Sequence, residues 1–326
     1  MSKPSIGVMF RREMPPESLP DFARAVEACG LDALWIVEDC FFNGGISAAG
    51  VALASTERIL VGIGILPAVA RNAAYAAMDL ATLARIFPGR LHVGIGHGVA
   101  DWIRQVGAMP RSQLGALEEI TVAIRALLRG DELTVNGDYV QLAKVRLDHP
   151  PQVVPPVSLG VTGPKSLALS GRIADGTILV ELTGPALVRK NHDIIQSGMD
   201  EAGRAGDGHQ ITMFAYWNQG ADGVATRAAL RPLLAERIAG EGMRDLVAPG
   251  FADEAQALLD RGGADLLASE MPDAWLDELT VTGTPDQCRA AIDRFGEAGV
   301  AHIGLVPPAG ITPAEIESWS RALTSS

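Results

Sequence analysis

The chain has 326 residues, is 48% hydrophobic and carries a formal net charge of −12. That length suits one α/β barrel with loop insertions or two small domains, and its core needs neither disulfides nor a structural metal. The acidic balance argues against nucleic acid or an anionic membrane as partner, because both require a basic face.

Short apolar runs alternate with longer amphipathic segments. Ile6 to Phe10 reads as a buried strand. Pro16 to Cys29 carries Leu19, Phe22, Ala23 and Val26 at helical spacing and stops at Gly30. Leu34 to Val37 is a second strand and Gly45 to Ser55 a small-residue helix. Ile59 to Leu66 is a third strand, followed by a helix from Asn72 to Ile86 that Pro88-Gly89 closes. Leu91 to Ile95 and the helix Arg111 to Leu128 form the fourth pair. Residues 131–147 change period and read as a hairpin insertion turning at Asn136-Gly137. The fifth strand is Val157 to Val161. Further strands lie near Thr177 to Glu181, Ile211 to Trp217 and His302 to Val306, with helices near 164–172, 185–203 and 222–239. Residues 240–281 hold no convincing strand and read as a helical insertion. Helices from Pro285 to Ala298 and Pro313 to Leu323 complete the chain.

Eight strand–helix units without a linker predict one domain over 1–326, a (β/α)8 TIM barrel with insertions. An open doubly wound sheet would need Gly-x-Gly-x-x-Gly after a strand. Gly94-Ile95-Gly96-His97-Gly98 has Val99 where the last glycine belongs. The three cysteines, Cys29, Cys40 and Cys288, are too sparse for a disulfide framework and read as reduced thiols. No run approaches the roughly 20 apolar residues of a membrane span, and the N-terminus does not read as a signal peptide. A cytoplasmic protein is expected.

In such a barrel the site lies where strands run into the following loops. After strand one stand Arg11 and Arg12, suited to a phosphate or carboxylate of a ligand or to pairing with Glu13 or Glu17. After strand two come Glu38 and Asp39, acids fit for proton transfer or for a ring N–H, then Phe41 and Phe42 as walls for a flat ligand. Gly64 lies in strand three, where glycine signals a bulge, close packing or a backbone approach to a ligand. Gly96, His97 and Gly98 follow strand four, with Trp102 beyond them. Thr162-Gly163-Pro164-Lys165-Ser166 opens a helix whose free amides, hydroxyls and lysine suit one phosphate. Glu181 and Thr183 reach the rim after strand six, whereas Asp175 belongs to the opposite, stability-bearing face. The six histidines show no H-x-H or H-E-x-x-H spacing, so no metal is expected.

Four segments taken in order resemble the bacterial-luciferase-like flavin and F420-dependent oxidoreductases. They are Ala54 to Gly62 (ASTERILVG), Phe87 to Gly96 (FPGRLHVGIG), Ile173 to Gly176 (IADG), and Gly283 to Cys288 (GTPDQC) running into Ala298-Gly299-Val300. The resemblance implies a third strand ending in a bulge, often with a non-proline cis peptide behind the cofactor ring, at Gly64-Ile65. It implies a cofactor phosphate at Thr162 to Ser166, with Asp39 and Gly96 to Gly98 bordering the ring. The branch that includes methylene-tetrahydromethanopterin reductase is the most similar. Many F420 members carry Asp-His after strand two. Here Cys40 follows Asp39, which passes proton transfer to His97 or Glu38. The stretch from Phe41 to Ser55 lacks the histidine of luciferase-type monooxygenases. The expected function is therefore hydride transfer between F420 and an organic substrate walled by Arg11, Phe41, Phe42 and Trp102. Alternatives are an FMN-dependent monooxygenase fed by a separate reductase and a non-catalytic flavin-binding barrel. The family also implies a homodimer or larger assembly.

Overall fold

The computed structural model describes residues 3–324. The strand β1 (Ser5–Phe10) leads into α1 (Leu19–Ala28), and β2 (Ala33–Ile36) into α2 (Gly45–Ser55). Next come β3 (Leu60–Pro67), α3 (Ala73–Ile86), β4 (Leu91–Gly96), a short α4 (Ala100–Gln105) and α5 (Gln113–Leu128). The hairpin β5 (Leu133–Asn136) and β6 (Gln141–Val145) precedes β7 (Val157–Gly160). The chain continues through α6 (Pro164–Ile173), β8 (Gly176–Leu179), α7 (Pro185–Glu201), β9 (Gln210–Gln219) and α8 (Gly223–Gly240). It ends with α9 (Ala252–Glu270), α10 (Asp273–Leu279), β10 (Val281–Gly283), α11 (Pro285–Glu297), β11 (His302–Val306) and α12 (Pro313–Thr324).

The strands β1, β2, β3, β4, β7, β8, β9 and β11 pair in parallel, and the β8–β9 and β9–β11 ladders close the ring. The predicted (β/α)8 barrel is thus present. Local signals explain its elements. On α1, Leu19, Phe22, Ala23 and Val26 repeat at three and four residues and are buried. Alanines at 73, 76, 77, 81 and 84 bury the inner face of α3 with Leu80, and Asn72 caps it by accepting from the Ala74 amide.

Four details differ from the sequence expectation. The segment 240–281 is helical, but Val281–Gly283 adds a ninth strand pairing with the outer end of β9. Three residues are too few to show a period of two. Helix α4 is likewise too short to show helical periodicity. The hairpin turns through residues 137–140 instead of a two-residue Asn-Gly turn, because the Glu119 carboxylate accepts from the amides of Asp138, Tyr139 and Val140. Helix α9 is broken at Gly262 and Gly263, the latter at φ 67°.

The barrel interior is filled by Trp35 and Phe214, whose rings meet edge to face at 5.4 Å. Glycines on the flanking strands make room for them. A Cβ on Gly62 would lie 2.2 Å from Trp35, and one on Gly304 would lie 2.4 Å from Phe214. Below them His92 is 2% exposed and shares a 2.8 Å hydrogen bond with the Ser158 hydroxyl. Burial, aided by the neighbouring His302, lowers its pKa to about 3.

Two outcomes are expected. Gly62→Ala forces a methyl into the Trp35 ring and should destabilise the protein by about 3 kcal/mol in urea unfolding, the upper range for overpacking. His92 stays neutral when folded, while the unfolded chain binds its proton below about pH 6.5. Stability should therefore fall by about 2 kcal/mol between pH 6.5 and 5, and His92→Gln should flatten that slope.

Candidate active site

Two contiguous cavities open at the C-terminal ends of the strands. One, of about 440 Å3, runs from Pro67 and His97 to Thr162, Gly163 and Arg244. The other, of about 390 Å3, descends to Met9, Phe214, Tyr216 and Val306. Asp39, Ile65, Val99, Trp102, Gly160, Val180 and Arg237 line both, so the two form one long cleft.

The bulge is where the family resemblance implied it. The β3–β4 register shifts between Ile63 and Leu66, and the Gly64–Ile65 peptide is cis. Gly64 backs onto Phe214, since a Cβ there would meet the ring at 2.6 Å. The Ile65 side chain covers Gly160 and Gly96, whose absent Cβ atoms leave it room. Gly96 is therefore a buried packing residue that lines neither cavity, unlike Gly98.

The rim charges are mostly spent on each other. Both Glu38 oxygens accept from the Arg71 guanidinium, at 2.5 and 2.6 Å, and Oε2 also accepts the Gly45 amide at 2.7 Å. Glu38 thus anchors the start of α2 and carries no free oxygen for proton transfer. Glu13 accepts from both Arg11 and Arg12. Arg11 also donates to the Pro307 carbonyl, and Arg12 to Asp39 at 3.0 Å. The Arg12 guanidinium lies 5.2 Å from the Phe42 ring centre and 5.7 Å from that of Trp102. Its pKa is raised, as the hydrogen bonds and charges of Glu13 and Asp39 outweigh burial.

Of the expected walls, Trp102 lines both cavities and Arg11 the deeper one. Phe41 and Phe42 are 65% and 53% exposed and line neither, Phe42 being turned onto Arg12. His97 lines the outer cavity, where its Nε2 shares a 3.0 Å hydrogen bond with the Ser166 hydroxyl. Burial lowers its pKa, opposed by the Gln113 backbone, so the imidazole is neutral near pH 7.

At the far end Gly163 caps α6 without a side-chain hydrogen bond, leaving the Lys165 and Ser166 amides free of a capping partner. Thr162 and Gly163 line the cavity; Pro164 and Lys165 are exposed outside it. Arg244 donates to the Thr162 hydroxyl at 2.9 Å. Asp175 lies on the opposite face, where it pairs with Arg125 and accepts the Val157 amide.

The sequence reading placed Glu181 at the rim without a role and did not single out Tyr216 or Arg237; the three line the deeper cavity from the end of β8, from β9 and from α8. Burial raises the Glu181 pKa, opposed by its own backbone and the charge of Arg237. Burial and the nearby Glu181 push Tyr216 up to about 12. Position at a strand end was the available signal for Glu181. Nothing in the pattern around Arg237 separates it from an ordinary helix-surface arginine. No group of three or more side chains suited to a metal occurs among the described residues, and no described helix is long and apolar enough to cross a membrane.

The sequence profile of the family described as luciferase-like monooxygenase matches residues 3–302. The chain belongs to that family. Within it, the chain is 27% identical over 313 residues to the 5,10-methylenetetrahydromethanopterin reductase of Methanolobus tindarius, covering 94% of this chain and 95% of the relative. An F420-dependent glucose-6-phosphate dehydrogenase of Nakamurella multipartita is 30% identical over 202 residues, 58% of this chain and 60% of the relative. The coenzyme F420-dependent tetrahydromethanopterin reductase from Methanopyrus kandleri superposes with a TM-score of 0.83 at 20% identity, over 99% of this chain and 98% of that one. The FMN-complexed oxygenating component of a Pseudomonas putida diketocamphane monooxygenase gives 0.71 at 15% identity, over 99% and 98%. At those identities the superpositions establish the fold. The curated relatives are oxidoreductases, and this chain is an oxidoreductase of the same family.

The Glu38–Arg71 pair gives a test. Arg71→Met strands a carboxylate that is 9% exposed and should cost about 3 kcal/mol. Adding Glu38→Gln should restore part of it, read as a coupling in a double-mutant cycle of unfolding.

Proposed function

We propose that the protein binds coenzyme F420 in the long cleft and transfers a hydride between it and a small organic substrate. The observation that carries this reading is the continuity of the cleft, from the Gly64–Ile65 bulge to the uncapped start of α6. A cofactor with a flat ring and a phosphate needs a wall at one end and an anion seat at the other. The residues fit both demands. Gly163 has open space around it, with nothing within 4 Å of where a Cβ would stand. The α6 amides and the Thr162 hydroxyl would take the phosphate, with Lys165 and Arg244 supplying charge. Gly64 and Ile65 would back the ring, Gly98, Val99 and Trp102 would border it, and Asp39 would meet its polar edge.

Bound F420 supplies the hydride chemistry; the chain supplies position and electrostatics. The Asp39–Arg12–Glu13 chain fixes the rim, and the bulge leaves the other ring face open to substrate. The similarity to an F420-dependent glucose-6-phosphate dehydrogenase, 30% identical over 58% of this chain, supports F420 over FMN. Assembly of copies belongs to the same proposal. Tyr75, Met78 and Ile86 leave an apolar row on the outside of α3, with Val51 on α2, all exposed.

Titration of the purified protein with F420 and FMN, followed separately by fluorescence, tests the reading. Micromolar F420 affinity with weak FMN binding is expected. Preference for FMN would instead make the protein a monooxygenase component that needs a separate reductase, and binding of neither would remove the site. Gly163→Asp should weaken F420 by about tenfold or more by placing a carboxylate on the phosphate seat, a loss of about 1.4 kcal/mol. Its Tm should hold, since aspartate is a favoured cap.

A further inference from the structure

One carboxyl at the barrel mouth stands apart from the paired acids of the rim. Glu181 lines the deeper cavity, whose floor is Met9, Phe214, Tyr216 and Val306 and whose rim carries Arg11, Arg12, Glu13, Asp39 and Arg237. Among the described residues it forms no ion pair and no hydrogen bond to another side chain. The residue after it, Leu182, holds φ at 68°, a conformation that a branched side chain keeps only where its surroundings impose it. Such positions cluster at sites where a side chain has to be aimed.

The three groups that the sequence offers for proton transfer or the ring edge each have a partner or another position. Glu38 is clasped by Arg71 and the Gly45 amide. Asp39 takes a hydrogen bond from Arg12. His97 lines only the outer cavity and is bonded to Ser166. Glu181 is left lining the deeper cavity that Gly64 and Ile65 of the bulge also line.

We infer that Glu181 donates the proton to the carbonyl oxygen or imine nitrogen of the substrate, an inference that rests on the hydride-transfer reading above. The hydride supplied by reduced deazaflavin forms a C–H bond at the substrate carbon, and the C=O or C=N π pair moves onto the heteroatom. The Glu181 O–H bond breaks toward that atom, leaving a carboxylate that water reprotonates. The substrate gains two electrons and two hydrogens, and the deazaflavin is oxidised by two electrons. A neutral acid suits this task because it donates without repelling an uncharged acceptor. Burial favours the protonated form, as does Asp39 from the β2 end. The carboxyl's own backbone, Arg237 of α8 and Arg11 of the β1 loop oppose it. Tyr216 of β9 faces it as a neutral phenol. The substrate class that follows is an uncharged ketone, aldehyde or imine.

The experiment uses two variants and cyclohexanone as probe. F420 affinity is read first in each protein. Failure of F420 to bind any of them overturns the cofactor reading, and this step with it. With oxidised F420 bound, the carbonyl stretch of cyclohexanone should move to lower frequency in the parent protein and return to its apolar-solvent value in Glu181→Leu. F420 binding with no such shift, or with the shift retained in the variant, overturns the role of Glu181 alone. Ligand-free protein gives the second readout. A carboxyl whose folded pKa is raised withdraws stability as pH rises from its ordinary pKa toward the folded one. Glu181→Gln should therefore melt above the parent by a margin that widens from the ordinary carboxylate range upward. A margin independent of pH overturns the inference.

Discussion

Everything at the mouth of this barrel is referred to the two rings that fill it. Trp35 and Phe214 occupy the interior as an edge-to-face pair, and each excludes a Cβ from its neighbouring strands. Gly7 and Gly62 face Trp35, whereas Gly304 and Gly64 face Phe214. A close-packed interior tolerates no added methyl at such contacts. The consequence reaches the site directly. Gly64 lies against Phe214 on one side, and the strand bulges there, so Ile65 turns aside over Gly160 and Gly96. Packing of the core thereby decides which stretch of backbone the cleft receives.

The charges above that plug divide into two groups. Glu38 with Arg71, and Glu13 and Asp39 with Arg11 and Arg12, form pairs that hold loops. Partly exposed pairs contribute modest stability, but they fix geometry when several share partners. Among the described residues Glu181 forms no such pair, and it lines the deeper space with Arg237, which hydrogen-bonds to Tyr216. A cleft whose rim charges are mutually satisfied presents its few uncommitted groups to a ligand, and those groups then define what it can recognise.

The fold was legible because strand and helix periods, capping residues and glycine stops agree along the chain. The motifs carrying the family resemblance explain the difference in how well fold and site could be read. Three of the four are turns that enter strands from the preceding helix. Arg90 of the FPGRL segment donates to the Thr56 hydroxyl and to the Thr56 and Ile59 carbonyls of the STERI segment. Glu27 accepts three amides of that same turn. Asp175 of IADG ties Arg125 to the start of β7. Such residues record how the barrel is closed on the face away from ligands, so they speak for architecture and say little of chemistry. The fourth, GTPDQC, is a capping box at the start of α11.

The site was legible only where backbone conformation dictates residue type. Gly64, Gly98 and Gly163 could be placed from strand ends and helix starts. Glu38, Arg11 and Phe42 stand at the expected positions, yet their side chains are drawn to Arg71, Glu13 and Arg12, partners whose proximity follows from the closed ring. Conversely, the uncommitted state of Glu181 is a property of what does not surround it. Met9 and Val306, from the first and last strands of the barrel, help to leave it without a partner. Sequence position identifies the rim, but the division of its side chains between holding the loops and meeting a ligand arises only when all eight strands are brought together.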